Sequence, residues 1–141
     1  MHLTCFSFVQ SMREERSKQF TTPEAIASSA VKTAVDIDAK VIIVCSESGN
    51  TARLIAKYRP AAHVLVLTAT DWVARQCSGY LRGTTCLKVG SMIGTDSIVL
   101  RAIESCRDWG WVDSGDSVIA VHGTLEGRQG STNMCKVVTV S

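Results

Sequence analysis

Val41-Ile42-Ile43-Val44-Cys45-Ser46-Glu47-Ser48-Gly49-Asn50-Thr51-Ala52-Arg53-Leu54-Ile55-Ala56-Lys57-Tyr58-Arg59-Pro60 joins an apolar run, a short polar turn with one glycine, and a helical stretch that stops before a proline. Five consecutive apolar residues without alternation fit a strand buried on both faces. Proline ends the helix because the residue before it is pushed out of the α region. The turn between the two falls at a helix N-terminus, where backbone N–H groups without partners favour an anion. Strand, turn and helix in this order form the unit of a layered α/β fold.

The same grammar extends to both sides. Upstream, Thr21-Thr22-Pro23-Glu24 marks a helix start. A threonine can cap, proline is tolerated in the first turn, and glutamate suits the positive end of the dipole. Ile26, Ala27, Ala30, Val31, Ala34 and Val35 then recur at helical spacing to about residue 37. Downstream, short runs at 63–68, 85–89 and 117–122 read as further buried strands, and helices are expected at 50–58, 71–80 and 96–109. The segment 123–130 is polar, carries glycines at 123, 127 and 130, and is too short for a crossover helix. The strand expected at 134–140 must therefore run antiparallel, at a sheet edge. Its faces are Cys135/Val137/Thr139 and Met134/Lys136/Val138/Val140. The expected architecture is a three-layer α/β/α fold with a five-stranded mixed sheet, preceded by a helical arm.

Composition sets bounds on function. A chain of 141 residues suffices for one domain with a real core. Apolar residues make up 45% and charged residues 20%, which is globular rather than disordered usage. Net charge is +2 and the basic residues are scattered, unlike the basic stripe of a nucleic-acid binder. No apolar run reaches the length of a membrane span. Cys5, Cys45, Cys77, Cys86, Cys106 and Cys135 form no C-x-x-C and no zinc spacing. They read as reduced core residues of a cytoplasmic protein. Residues 1–9 lack the basic start and long apolar core of a secretory signal. Residues 3–18 form an amphipathic pattern whose apolar side, from Leu3 to Met12, matches nothing later in the chain.

In open α/β sheets ligands gather at the carboxyl ends of the strands. That edge would collect residues 46–51, 68–70, 90–95 and 122–130. Ser46, Ser48 and Thr51 offer hydroxyls there, Gly49 lets backbone approach closely, and Glu47 repels an anion. The plainer account is an ordinary strand–helix turn with hydroxyl caps. Cys45 and His122 end two strands and could bring a thiol near an imidazole, the start of a nucleophilic site. A buried core cysteine and a strand-end histidine are the plainer account, and no third catalytic group is evident. Asp36, Asp38, Asp113 and Asp116 lie in connecting turns and read as turn formers rather than metal ligands. Neither a Walker-type nor a dinucleotide-binding glycine loop is present.

Four segments, in order, resemble the C-terminal α/β domain of pyruvate kinases. Residues 22–34 are similar to its Glu-Ala-x-Ala-x-Ser-Ala-Val-x-Thr-Ala helix. Residues 48–60 are similar to its Ser-Gly-x-Thr/Ser-Ala turn and Lys/Arg-Tyr-Arg-Pro helix end. Residues 115–123 resemble its Gly-Asp-x-hydrophobic strand, and residues 130–138 its closing Gly-x-Thr-Asn-x-x-x-Val-Val. The resemblance covers residues 20–141. Lys88-Val89-Gly90-Ser91, Gly94-Thr95-Asp96 and the final loop look most like apicomplexan members.

The resemblance implies a regulatory and subunit-interface domain, residues 21–141, without catalysis of its own. It also implies a parent enzyme moving phosphate from phosphoenolpyruvate to ADP. Residues 1–20 would be the end of a missing barrel domain. Magnesium and potassium would belong to that parent, and no cofactor to this stretch. The implied partners are the barrel domain of the same polypeptide, further copies in a tetramer and a small phosphorylated effector. The effector site would comprise Ser46, Glu47, Ser48, Gly49, Asn50, Thr51, Glu126, Gly127 and Gly130. Regulated relatives hold a sugar bisphosphate there, and this chain departs from them. Glu47 stands where a lysine occurs, Ile98 near an expected arginine, and Glu126 at a position that is often basic. The alternatives are a free-standing α/β binder of small anions or nucleotides, and thiol chemistry at Cys45 and His122.

Overall fold

A computed structural model describes residues 21–80, 83–90, 94–123 and 132–141. The first helix, α1 (Thr22–Asp36), leads into β1 (Val41–Cys45) and α2 (Asn50–Lys57). These are followed by β2 (His63–Thr68), α3 (Asp71–Tyr80), β3 (Thr84–Lys88) and α4 (Thr95–Asp108). The chain closes with β4 (Ser117–Gly123) and β5 (Thr132–Thr139). All nine elements correspond to segments read from the sequence. Their ends differ by one or two residues: β3 is 84–88 rather than 85–89, and β5 begins at 132 rather than 134. The expected arm at residues 1–20 lies outside the described residues.

One five-stranded sheet has the order β3-β2-β1-β4-β5. β1 pairs in parallel with β2 (Ile43 opposite Leu65) and with β4 (Ile43 opposite Ala120). β2 pairs in parallel with β3, and β5 runs antiparallel to β4 at the edge. The antiparallel closing strand confirms the argument from loop length.

The central strand β1 is buried at all five positions. Ile42 and Val44 pack with Val64, Val66, Ile119 and Val121 against α1, α2 and α3. Val41, Ile43 and Cys45 pack with Leu65, Leu67 and Val118 against α4. Helices thus cover both sheet faces, three on one and α4 on the other. The small side chains of Ala27, Ala30 and Ala34 sit on the buried face of α1, as the alanine stripe implies.

Helix ends explain several turns. Thr21 occupies the N-cap of α1, but its hydroxyl makes no capping bond; its carbonyl accepts from Ala25 at 2.9 Å. The expected threonine cap is therefore a backbone one. At the other end Asp38 takes φ +54°, and Ala39 N–H reaches back to the Ala34 carbonyl at 2.9 Å. This is the left-handed stop usually given to glycine. Asp116 Oδ2 accepts the Asp113 N–H at 2.8 Å, the turn-forming role expected of it.

Candidate functional site at the sheet's carboxyl edge

The strand order places the turn after β1 at a special point. β2 and β3 lie on one side of β1, β4 and β5 on the other. Chain connections leave in opposite directions there, and between the carboxyl ends of β1 and β4 lies the position where open α/β sheets place their ligand crevice. Residues 46–49 and residues 122–123 flank that crevice.

The turn is built by its own side chains. Ser46 N–H donates to the Leu67 carbonyl at 3.0 Å, tying the turn to β2. Ser46 Oγ, buried, accepts the Gly49 N–H at 2.9 Å. Ser48 Oγ accepts the Asn50 N–H at 3.3 Å. Gly49 is the N-cap of α2 at φ +81°, and its carbonyl takes the first helical bond, from Arg53, at 3.0 Å. A Cβ at Gly49 would stand 3.3 Å from Val73 Cγ1. Both conformation and space therefore demand glycine. Glu47 and Ser48 are half-buried, Asn50 is exposed and Thr51 is buried.

Two of the hydroxyls counted as anion donors are thus engaged as caps. What remains for a ligand is the exposed start of α2 and the hydroxyl protons of Ser46 and Ser48. Each hydroxyl can accept one bond and still donate another. Glu126, Gly127 and Gly130 lie outside the described residues, so the structure brings together residues 46–51 without that loop. Ile98, where a basic residue was expected, is buried in the α4 core.

Sequence reading missed the charge beside this crevice. Lys136, on β5, hydrogen-bonds Asp96 in the first turn of α4. That bond, with the charge of the ammonium, holds the Asp96 carboxyl below its usual range. The signal was present in the alternation of β5, which sets Lys136 on the same face as Val138, but the partner is remote in sequence.

The thiol reading loses support. Cys45 ends β1 and His122 lies on the adjacent strand, both near the crevice. Burial pushes the Cys45 thiol up to about 12, against the pull of Lys136. A nucleophilic cysteine needs the opposite shift. Among the described residues no group of three His, Cys, Asp or Glu could hold a metal ion. No described helix is long and apolar enough to cross a membrane.

The sheet order and the capped turn at its switch point define a three-layer α/β domain with a candidate small-anion cradle. The chain belongs to a known family of such domains: residues 24–138 match "Pyruvate kinase, alpha/beta domain". It is 38% identical to the pyruvate kinase of Eimeria tenella over 139 residues, covering 96% of this chain and 26% of that protein. It is 34% identical to that of Dictyostelium discoideum over 130 residues, covering 92% and 25%. Among solved structures, Cryptosporidium parvum pyruvate kinase in complex with ADP superposes with a TM-score of 0.89 at 36% identity. That match covers 97% of this chain and 27% of the solved one. The apicomplexan likeness read from the sequence holds. The chain spans about a quarter of the length of these relatives.

Proposed function

We propose that this chain is the regulatory and subunit-interface part of a pyruvate kinase, residues 21–141 forming the domain and residues 1–20 its link to a catalytic barrel. The parent would transfer phosphate from phosphoenolpyruvate to ADP, giving pyruvate and ATP, with magnesium and potassium held elsewhere. It would work in the cytoplasm as a tetramer. The observation that carries this reading is the match of nearly the whole chain to one quarter of complete pyruvate kinases.

The chain by itself is catalytically silent. Phosphoryl transfer needs metal and cationic groups arranged around the moving phosphate, and the described residues offer no metal cluster. A coupled assay of the purified chain with phosphoenolpyruvate, ADP, magnesium and potassium should give no turnover above background. Turnover at an enzyme-like rate would defeat the reading, as would failure of the chain to associate with a supplied barrel domain.

The turn at residues 46–51 is the effector cradle in this reading, with Glu126, Gly127 and Gly130 completing it. The capped turn supports this reading, and Glu47 alters the charge of the cradle. Among the described residues, Lys136 brings a cation to this edge and is already bonded to Asp96.

A further inference from the structure

At the opposite edge of the sheet, where β2 and β3 begin, a groove of about 860 Å³ runs between the end of α2 and Gly83. Its walls carry Arg53, Lys57, Arg59 and His63, and none of the described residues lining it is acidic. These basic residues, close together in sequence, share one concavity with Pro60, Ala61, Ala62 and Val64.

We propose that this groove binds a small organic phosphate carrying at least two negative charges, at a site distinct from the turn at residues 46–51. Three features of the groove carry the proposal. The first is size: the volume falls within the range of about 300–1,000 Å³ typical of small-molecule sites. Guanidinium groups suit phosphate oxygens because their planar donors bind two at once.

The second is the placement of charge. Arg53 and Lys57 stand four apart on one helix, where like charges repel. The dipole of α2 favours cations at its last turn, which accounts for the sign of Lys57 and Arg59. It does not account for Arg53, a turn nearer the positive end. Glu24 meets Lys57 at 3.0 Å from the α1 side and is almost wholly buried. It fixes the ammonium without lining the groove.

The third is backbone cost. Arg59 has φ +51° just past the C-cap of α2. Its N–H closes the helix on the Ala56 carbonyl at 3.1 Å. Glycine is the unstrained residue at such a stop. The next residue, Pro60, has no N–H to make the second closing bond. An arginine thus stands at a strained stop, on the rim of a basic groove.

The proposal does not depend on the pyruvate kinase reading, since it concerns another edge of the sheet and is read by binding. The probe is inorganic pyrophosphate, titrated into the 141-residue chain at constant ionic strength. Binding is followed by calorimetry and by backbone amide resonances. Saturable binding is expected, with shifts at Ala61, Ala62 and Gly83. Arg53→Gln should weaken it about tenfold, as expected for loss of one charged hydrogen-bonding partner. Arg59→Gly should weaken it similarly while raising the melting temperature, which separates loss of binding from loss of fold. Lys32→Gln, which removes an equal charge on α1, should leave affinity unchanged. Shifts confined to residues 46–51, affinity unchanged from the unaltered chain in both arginine variants, or a response matched by any salt of the same ionic strength would overturn the proposal. Saturable binding of a glutamate-rich peptide without a pyrophosphate response would overturn it too, giving the groove to a protein partner.

Discussion

Gly49 sits at φ +81° with Val73 Cγ1 3.3 Å from where a Cβ would lie. Alanine there meets both left-handed strain and a tight contact, so Gly49→Ala should cost about 2 kcal/mol in urea unfolding. A loss under about 0.5 kcal/mol, the size of an ordinary surface change, would show that the turn can rearrange. The thiols make a second test at this scale. Burial pushes Cys45 from 9.0 to about 12, against Lys136, and Cys106 to about 11. The folded chain holds these protons more tightly than the unfolded one. Their contribution is therefore complete below pH 9 and is lost as pH rises through 11 and 12. Above pH 9 each thiol should steepen the alkaline fall in stability by on the order of 1 kcal/mol per pH unit. The Cys45→Ala/Cys106→Ala variant should show a shallower fall; an unchanged slope would contradict the assignment. Sequence placed Cys45 in an apolar run, which gives the direction of its shift; Cys106 sits between Ser105 and Arg107, and only the fold buries it.

Between elements, the contact least visible in sequence is Lys57 on α2 with Glu24 on α1, at 3.0 Å. Glu24 was read as a first-turn residue complementing the helix dipole. It does occupy the first turn, but it is also buried and bridges two helices. Lys57→Met should cost about 2 kcal/mol, because it takes the ion-pair partner from a buried carboxylate. The double variant Glu24→Gln/Lys57→Met should recover most of that loss, and strictly additive losses in the cycle would deny the coupling. The elements themselves were legible because apolar runs and helical spacing are local signals. The end of α4, expected at residue 109, was legible as well: Gly110 at φ +79° stops it, with Trp111 N–H bonded to the Cys106 carbonyl at 2.9 Å. Trp111 then stacks on His63 with ring centroids 4.4 Å apart, a long-range contact between α4's end and β2. That partner was not readable in sequence, because nothing local couples residues so far apart.

For the molecule as a whole, the proposed effector site depends on pieces from separate parts of the chain. Glu47 adds negative charge, Ile98 is buried, and Lys136 is bonded to Asp96. Fructose bisphosphate should therefore bind weakly at the turn, each close carboxylate costing about 1 kcal/mol, or several-fold in affinity. Calorimetry on the chain and on Glu47→Lys tests this: the variant should bind more tightly, and micromolar binding by the unaltered chain would refute the charge argument. What the sequence alone determined is the set of elements, the sense of the last strand, the glycine-bearing turn and the family. Each rests on neighbours along the chain: apolar periodicity, a loop too short to cross the sheet, and ordered local motifs. Only the tertiary structure decided the strand order β3-β2-β1-β4-β5, and with it the switch point beside residues 46–49. Only it paired Lys136 with Asp96 and stacked Trp111 on His63. Such juxtapositions follow from strand pairing and helix packing across long stretches of chain, and those contacts leave no periodic mark in the residues that make them.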